Sequence, residues 1–396
     1  MTKIKVSHIS TGFIAVFIGY ASAAAIIFQA AMSAGSTNEQ VASWFWALGV
    51  GMGITTILLS LHYKKPIVTA WSTPGAALLI TSLEGLTMNQ AVAVFLFSSL
   101  LITLVGLAGI FERALKQIPT SIASAMLAGI LLQFGLGLFT SVMEEGLIIF
   151  VMLAIYMVAR VRLGNLLIPS IFIVALIMCI GMGKLDVSAV TMGLTVPVFI
   201  APDFEFFSLV SVGIPLFIVT MASQNLPGFA VLKANGYQVG SSKIITTTGV
   251  TGLLLAPFGG FAFNLAAITG AICMGPNADE NPKTRYIAGI FMGVFYLLAG
   301  VMGMSFVSLF SSVPEAVVIA IAGLAVMPTL MNCLAVSMAD SQCREPALFT
   351  FLVTASGVNL LGIGSAFWGL CVGMVCYWLY HHKVSEIKVK DTSSTQ

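Results

Sequence analysis

The chain has 396 residues, of which 58% are hydrophobic and 8% charged, with a formal net charge of +2 and a mean hydropathy of +1.03. A soluble domain carries about 25% charged residues, so this composition excludes a water-facing surface over most of the chain. A charge of +2 without a basic block excludes a nucleic-acid partner.

Lipid is the expected solvent. A spanning helix needs roughly 20 apolar residues, and the apolar runs predict fourteen spans. They cover 11–33, 40–61, 66–83, 89–111, 118–140, 146–159, 165–183, 206–226, 242–258, 260–275, 286–310, 314–332, 346–362 and 364–380. Lys3 and Lys5 precede span one, and Ala21-Ser22-Ala23 faintly resembles a cleavage site. The apolar run 12–32 is too long for a signal-peptide core, so span one is kept. It carries Phe28 and Gln29.

Span three is short. It runs from Pro66 through Trp71, Ser72 and Thr73 to Pro74-Gly75-Ala76-Ala77. Thr73 followed by Pro74 reads as a helix N-cap with proline at the first helical position. Span five carries Gln133, expected to be structural, as are Asn332 and Asn359 further on. Span eight carries Gln224-Asn225, the counterpart of Gln29 in the other half. Span ten is again short, from Pro257 through Gly259-Gly260-Phe261-Ala262-Phe263 to Asn264, then Leu265-Ala266-Ala267-Ile268. Asn264 reads as its N-cap.

The cations support the count, because cytoplasmic loops are rich in Lys and Arg. With the N-terminus inside, the even-numbered loops hold Lys64, Lys65, Arg113, Lys116, Arg160, Arg162, Lys233, Lys243, Lys283, Arg285 and Arg344, and the tail holds Lys383, Lys388 and Lys390. Lys184 falls outside the pattern. Glu39, Glu84, Glu144, Glu145, Asp186, Asp203, Glu205 and Glu315 lie in or beside external loops, and no acid sits mid-span. Both termini are therefore expected in the cytoplasm.

Seven spans per half give the halves opposite orientation, the inverted-repeat plan of many secondary transporters. Interrupted spans at matched positions point to the binding site in such folds, and here they are spans three and ten. Extended backbone at membrane depth must be buried in protein or line a cavity, so the two segments are expected to pair. Two half-helix N-termini would then meet near the midplane. Helix N-termini bind anions. A charge at the bilayer centre costs about 2.5–3.5 kcal/mol, and each helix end returns up to about 2 kcal/mol when partly buried. A monoanion is thus held without Arg or Lys. Trp71, Phe261 and Phe263 beside the caps suit an aromatic carboxylate.

The six cysteines have no metal or redox spacing and read as small buried hydrophobes. None of the four histidines (His8, His62, His381, His382) is central, which argues against a buried histidine proton relay. No cofactor, metal or enzymatic centre is expected: paired mid-membrane histidines and clustered acids are both missing from the sequence.

The run PFGGFAFNLAAITGAI, Pro257 to Ile272, resembles the signature of the benzoate/proton symporter family (BenE-type). The segments around Trp71-Ser72-Thr73-Pro74-Gly75 and Gln224-Asn225 resemble it too. That family is similar in fold to uracil and nucleobase–ascorbate transporters and to sulfate-permease-type anion carriers. The resemblance implies an all-α polytopic fold with core and gate domains. Span one to four (11–111) and eight to eleven (191–311) would form the core; 112–190 and 312–382 would form the gate. Residues 1–10 and 383–396 would be cytoplasmic. Sulfate-permease relatives carry a folded domain after the last span, where this chain has a short polar tail. Nucleobase carriers place a carboxylate on span eight, where this chain has Gln224-Asn225.

The function implied is proton symport of benzoate or a similar aromatic carboxylate in a bacterial inner membrane. The expected substrate contacts are Gln29, Trp71, Ser72, Thr73, Gly75, Gln224, Asn225, Phe261, Phe263 and Asn264. The partners are the anion, protons and lipid; a homodimer is the oligomer to test. The alternatives are a carrier of another small anion or nucleobase-like solute, and a passive channel.

Overall fold

The computed structural model describes residues 4–111, 113, 119–185, 187–360 and 364–393. Lys3, Lys116, Asp186 and the side chains of His381, His382, Lys383, Lys388 and Lys390 lie outside what is described.

The chain is built almost entirely from helices. Helices α1 (Val6–Ser33) and α2 (Asn38–Tyr63) are followed by a two-residue strand β1 (Thr69–Ala70) and the short helix α3 (Thr73–Ser82). Next come α4 (Met88–Ala108), α5 (Thr120–Thr140), α6 (Val142–Leu163) and α7 (Leu167–Gly181). The second half opens with α8 (Phe206–Ala234) and α9 (Ser241–Leu255). It continues with strand β2 (Asn264–Leu265), the seven-residue α10 (Ile268–Met274), α11 (Tyr286–Val301), α12 (Gly303–Ser312), α13 (Glu315–Ser337), α14 (Arg344–Ala355) and α15 (Ser365–Ser393).

The predicted spans fall on these elements, spans three and ten each on a strand followed by a short helix and span eleven on both α11 and α12, and the lengths differ from the prediction. Among the described residues seven helices are long and apolar enough to cross a bilayer, or eight if α11 and α12 count as one span bent by 60°. The polar tail does not begin as a loop, since α15 continues helically to Ser393.

Local chemistry sets the helix ends. Thr37 with Gln40, and Thr87 with Gln90, form reciprocal capping boxes at the starts of α2 and α4. Lys64, at φ 50°, ends α2, and Pro66 two residues on prevents the helix from resuming. In α8, prolines 215 and 227 each remove the N–H that would bond four residues back. The helix answers with π turns just before them, at Leu209–Gly213 and Met221–Asn225.

Two packing groups result. Helix α2 lies along α11, α4 along α9, and α1 against α11 and α3; α5, α13, α14 and α15 pack on one another. The groups meet where α1 touches α13 and α3 touches α5. At one end of the bundle a polar tie fastens α1 to the loop after α10. Asp279 is paired with Lys5 at 2.8 Å and with the buried His8 at 2.9 Å. The Lys5 ammonium, helped by Thr284 and the Asn281 amide, holds the Asp279 carboxyl well below the usual carboxylate range.

Candidate binding site at the crossing of the broken spans

Strands β1 and β2 pair antiparallel, Thr69 opposite Leu265 and Ala70 opposite Asn264. Such backbone is tolerated away from water where its polar groups find partners. One face of α2 supplies several. Thr55 and Thr56 bond the Thr69 hydroxyl at 2.6 and 2.9 Å, Thr56 accepts from the Thr69 amide at 3.0 Å, and Ser60 donates to the Ile67 carbonyl. On the other side the Ala266 amide donates to the Val68 carbonyl at 2.9 Å. The Leu265 amide donates to Asn225 Oδ1 at 3.0 Å. Gly228 lets α8 approach β2, for a Cβ there would lie 2.5 Å from the Leu265 Cβ.

A cavity of about 390 Å³ opens where the strands hand over to their helices. Its floor is Ala70, Trp71 and Thr73 from the first broken span and Ala266 to Thr269 from the second. Gly19 and Ser22 of α1, Ser223 and Gln224 of α8, Tyr296 of α11, and Thr329 and Asn332 of α13 form the walls. No charged side chain is among the described lining residues. Trp71 and Tyr296 present aromatic surface, and Tyr20 braces Trp71 edge-on at 4.8 Å. The volume falls in the range of about 300–1,000 Å³ typical of small-molecule sites.

Of the residues expected at the site, Trp71, Thr73 and Gln224 line this cavity. The others sit elsewhere, and each has a physical reason. Ser72, not Thr73, caps α3: its backbone is extended and its Oγ accepts from the Gly75 amide at 3.0 Å. Thr73 is the first helical residue and its side chain faces the cavity. Gly75 is turned toward α8, where a Cβ would meet the Ser72 Oγ at 2.8 Å and Leu216 at 2.9 Å.

Asn264 does not cap α10; it belongs to β2, and the helix starts four residues later without a side-chain cap. Its Nδ2 donates to the Ala262 carbonyl across a turn in which Ala262 takes φ 47°. Asn225 is fully buried and spends its carbonyl on β2, so the π turn sends Gln224 to the cavity and Asn225 behind it. Phe261 packs on Trp44 and Phe95, with ring centroids at 5.5 and 5.4 Å. Phe263 is buried at a spot where a Cβ on Gly51 would lie 2.4 Å from its ring. Gln29 lies well along α1 from Gly19 and Ser22 and does not line the cavity. Phe28 stacks on Phe310.

Several lining residues were not anticipated. Gly19, Ser22 and Ala23 have the i, i+3, i+4 spacing of one helix face; this small-residue stripe was a usable signal. Asn332 was expected to be structural, yet it borders the cavity one turn after Pro328, which lies inside α13. Gln133 behaves as expected, donating to the Ala355 carbonyl at 2.8 Å.

A mostly helical membrane fold with two crossed broken spans and an uncharged central cavity is that of a membrane transporter. The solved structures agree. The chain matches the transmembrane domain of a cyanobacterium bicarbonate transporter, BicA, with TM-score 0.61 at 14% identity, covering 95% of this chain and 98% of that one. It matches murine Solute Carrier 26 family member A9, an anion transporter in the inward-facing state, with TM-score 0.62 at 13% identity, covering 98% and 70%. These likenesses are of fold. The family is set by sequence: residues 2–379 match the family described as Benzoate membrane transport protein (BenE), and the chain belongs to it. It is 44% identical to Inner membrane protein YdcO of Escherichia coli K12, over 92% of this chain and 94% of that protein. It is 42% identical to the Benzoate membrane transport protein of Acinetobacter baylyi, over 93% of each.

Proposed function

We propose that this chain is a secondary carrier that takes up benzoate or a closely similar aromatic carboxylate by proton symport. The observation that carries the reading is the central cavity, lined by the first turns of α3 and α10 beside Trp71 and Tyr296 and with no charged side chain among its described lining residues. The carboxylate sits against Thr73, Gln224 and the amides around Ile268 and Thr269; the ring lies on Trp71. Helix α10 has only seven residues, so it acts through the unsatisfied N–H groups of its first turn more than through a long aligned dipole. Ser72, Gly75, Asn225 and Asn264 position this site from behind.

The wider architecture in this proposal is fourteen spans arranged as a seven-plus-seven inverted repeat. The packing supports it. Helix α4 lies along α9, and α2 lies along α11; replacing each helix by its counterpart seven spans away turns one pair into the other. Both termini face the cytoplasm of a bacterial inner membrane, because the cations gather at that end. The core (spans one to four and eight to eleven) moves the solute past the gate.

Uptake of labelled benzoate by proteoliposomes tests the reading. It predicts uptake stimulated by an inward proton gradient and lost in Thr73→Phe. Uptake indifferent to the gradient contradicts symport. Competition by bicarbonate, sulfate or uracil in place of aromatic carboxylates contradicts the substrate.

A further inference from the structure

Two smaller cavities follow from the central one in succession, and their order along α8 is regular. A side cavity of about 230 Å³ shares Ser223, Pro227, Thr329 and Asn332 with the central cavity. An outer cavity of about 300 Å³ shares Leu226 and Ala230 with the side cavity and reaches Lys233 and Gln238. Along α8 the linings advance from Gln224 to Ala230 to Lys233, and along α13 from Asn332 to Val336, one residue short of its end. At 1.5 Å per residue, Gln224 to Lys233 is about 13 Å of axial travel. The three cavities therefore follow one course along α8: the side cavity lies between α8 and both α5 and α13, and the outer one between α8, Phe111 and the segment Tyr237–Ser241.

The chemistry changes along it in a consistent sense. The neck is polar: Ser223, Thr329 and Asn332 offer two hydroxyls and an amide. Beyond it, Thr120 and Ser124 of α5 add hydroxyls to a wall otherwise of small and apolar residues. At the mouth stand Lys233 and Lys65, whose ammonium donates to the Gln238 carbonyl. No acidic side chain is among the described linings of the three cavities. Uncharged donors ending at cations draw an anion outward without trapping it midway. The opposite direction is filled by stacked rings: Tyr20 and Phe45 on Phe306 at 5.0 and 5.7 Å, then Phe28 and Phe172 on Phe310, each at 5.6 Å.

We infer that the side and outer cavities are the release path of a small carboxylate toward the cation-rich face, with Asn332, Ser223 and Thr329 as its selective neck. The inference rests on the central cavity being the solute site.

Single cysteines at Ser124 or Ala230, in a chain whose six native cysteines are replaced, test the path. An impermeant cationic methanethiosulfonate added to the cation-rich face is expected to modify both and to block benzoate exchange. Added to the opposite face it is expected to leave both thiols free. Ala230→Trp is expected to slow exchange while equilibrium benzoate binding stays at the wild-type value. Thiols that react only from the opposite face, or modified carriers that exchange normally, overturn the path. The labelling arm does not depend on benzoate, so a wild-type protein that fails to bind benzoate sinks the substrate reading and leaves the path to be judged by labelling.

Discussion

Ser72 and Thr73 illustrate how one position separates support from contact. The Ser72 hydroxyl accepts from an amide of the first turn of α3, and Thr73 is left to face the cavity. Replacing an N-cap serine by alanine costs about 1 kcal/mol. Ser72→Ala is therefore expected to lower the melting temperature in detergent and to weaken benzoate binding together. Gly19 offers the complementary case. A Cβ there lies 3.5 Å from its nearest neighbour, a methyl of Thr269, so a larger side chain grows into the cavity without pushing the backbone. Gly19→Leu is expected to fold with near-wild-type melting and to bind benzoate about tenfold more weakly or worse, about 1.4 kcal/mol or more; isothermal titration checks it. At this scale the sequence named the right broken spans but misplaced several side chains. Thr-Pro is as good a start signal as Ser-Thr-Pro, and only the extended backbone of Ser72 decides between them. Phe261 and Phe263 immediately precede the strand in sequence, yet they pack away from the cavity after the left-handed Gly259 and around the left-handed Ala262.

Among the elements, the crossing of β1 and β2 depends on its neighbours for hydrogen bonds. Asn225 is the clearest support, since its carbonyl is the acceptor for the Leu265 amide. Asn225→Leu leaves that buried N–H unpaired, a loss of about 1–3 kcal/mol. It is expected to lower thermal stability and transport, whereas Gln224→Leu, one residue away, lowers binding with little loss of stability. Thermal melts and binding isotherms of the pair separate the two roles.

Close helix contacts carry the rest. A Cβ on Gly49 would lie 2.5 Å from the Gly300 Cα, and one on Gly53 would lie 2.7 Å from the Gly293 carbonyl. Small residues at such spacings let backbones touch where lipid gives no hydrophobic drive. Gly49→Val is expected to pry α2 from α11, with overpacking of about 1–3 kcal/mol, read as lower yield of monodisperse protein and a lower melting temperature. The pairing of the extended segments was legible because both spans were short and broken at matched positions. The π turns of α8 were not foreseen, although Pro215 and Pro227, each two residues past a π turn, were visible in the chain.

For the whole molecule, composition gave the class, and the motif around Pro257 gave the family. The path proposed along α8 was not legible, because its linings come from segments far apart in sequence. In the function proposed for it, the architecture would hold an anion at mid-depth with backbone amides and neutral side chains. A structure of the benzoate-loaded carrier in lipid nanodiscs measures this most directly. The account predicts the carboxylate within hydrogen-bond distance of Thr73 and the first-turn amides of α10, with the ring on Trp71. A carboxylate bound instead beside Gln29, or paired with a lysine or arginine away from the β1–β2 crossing, would contradict it.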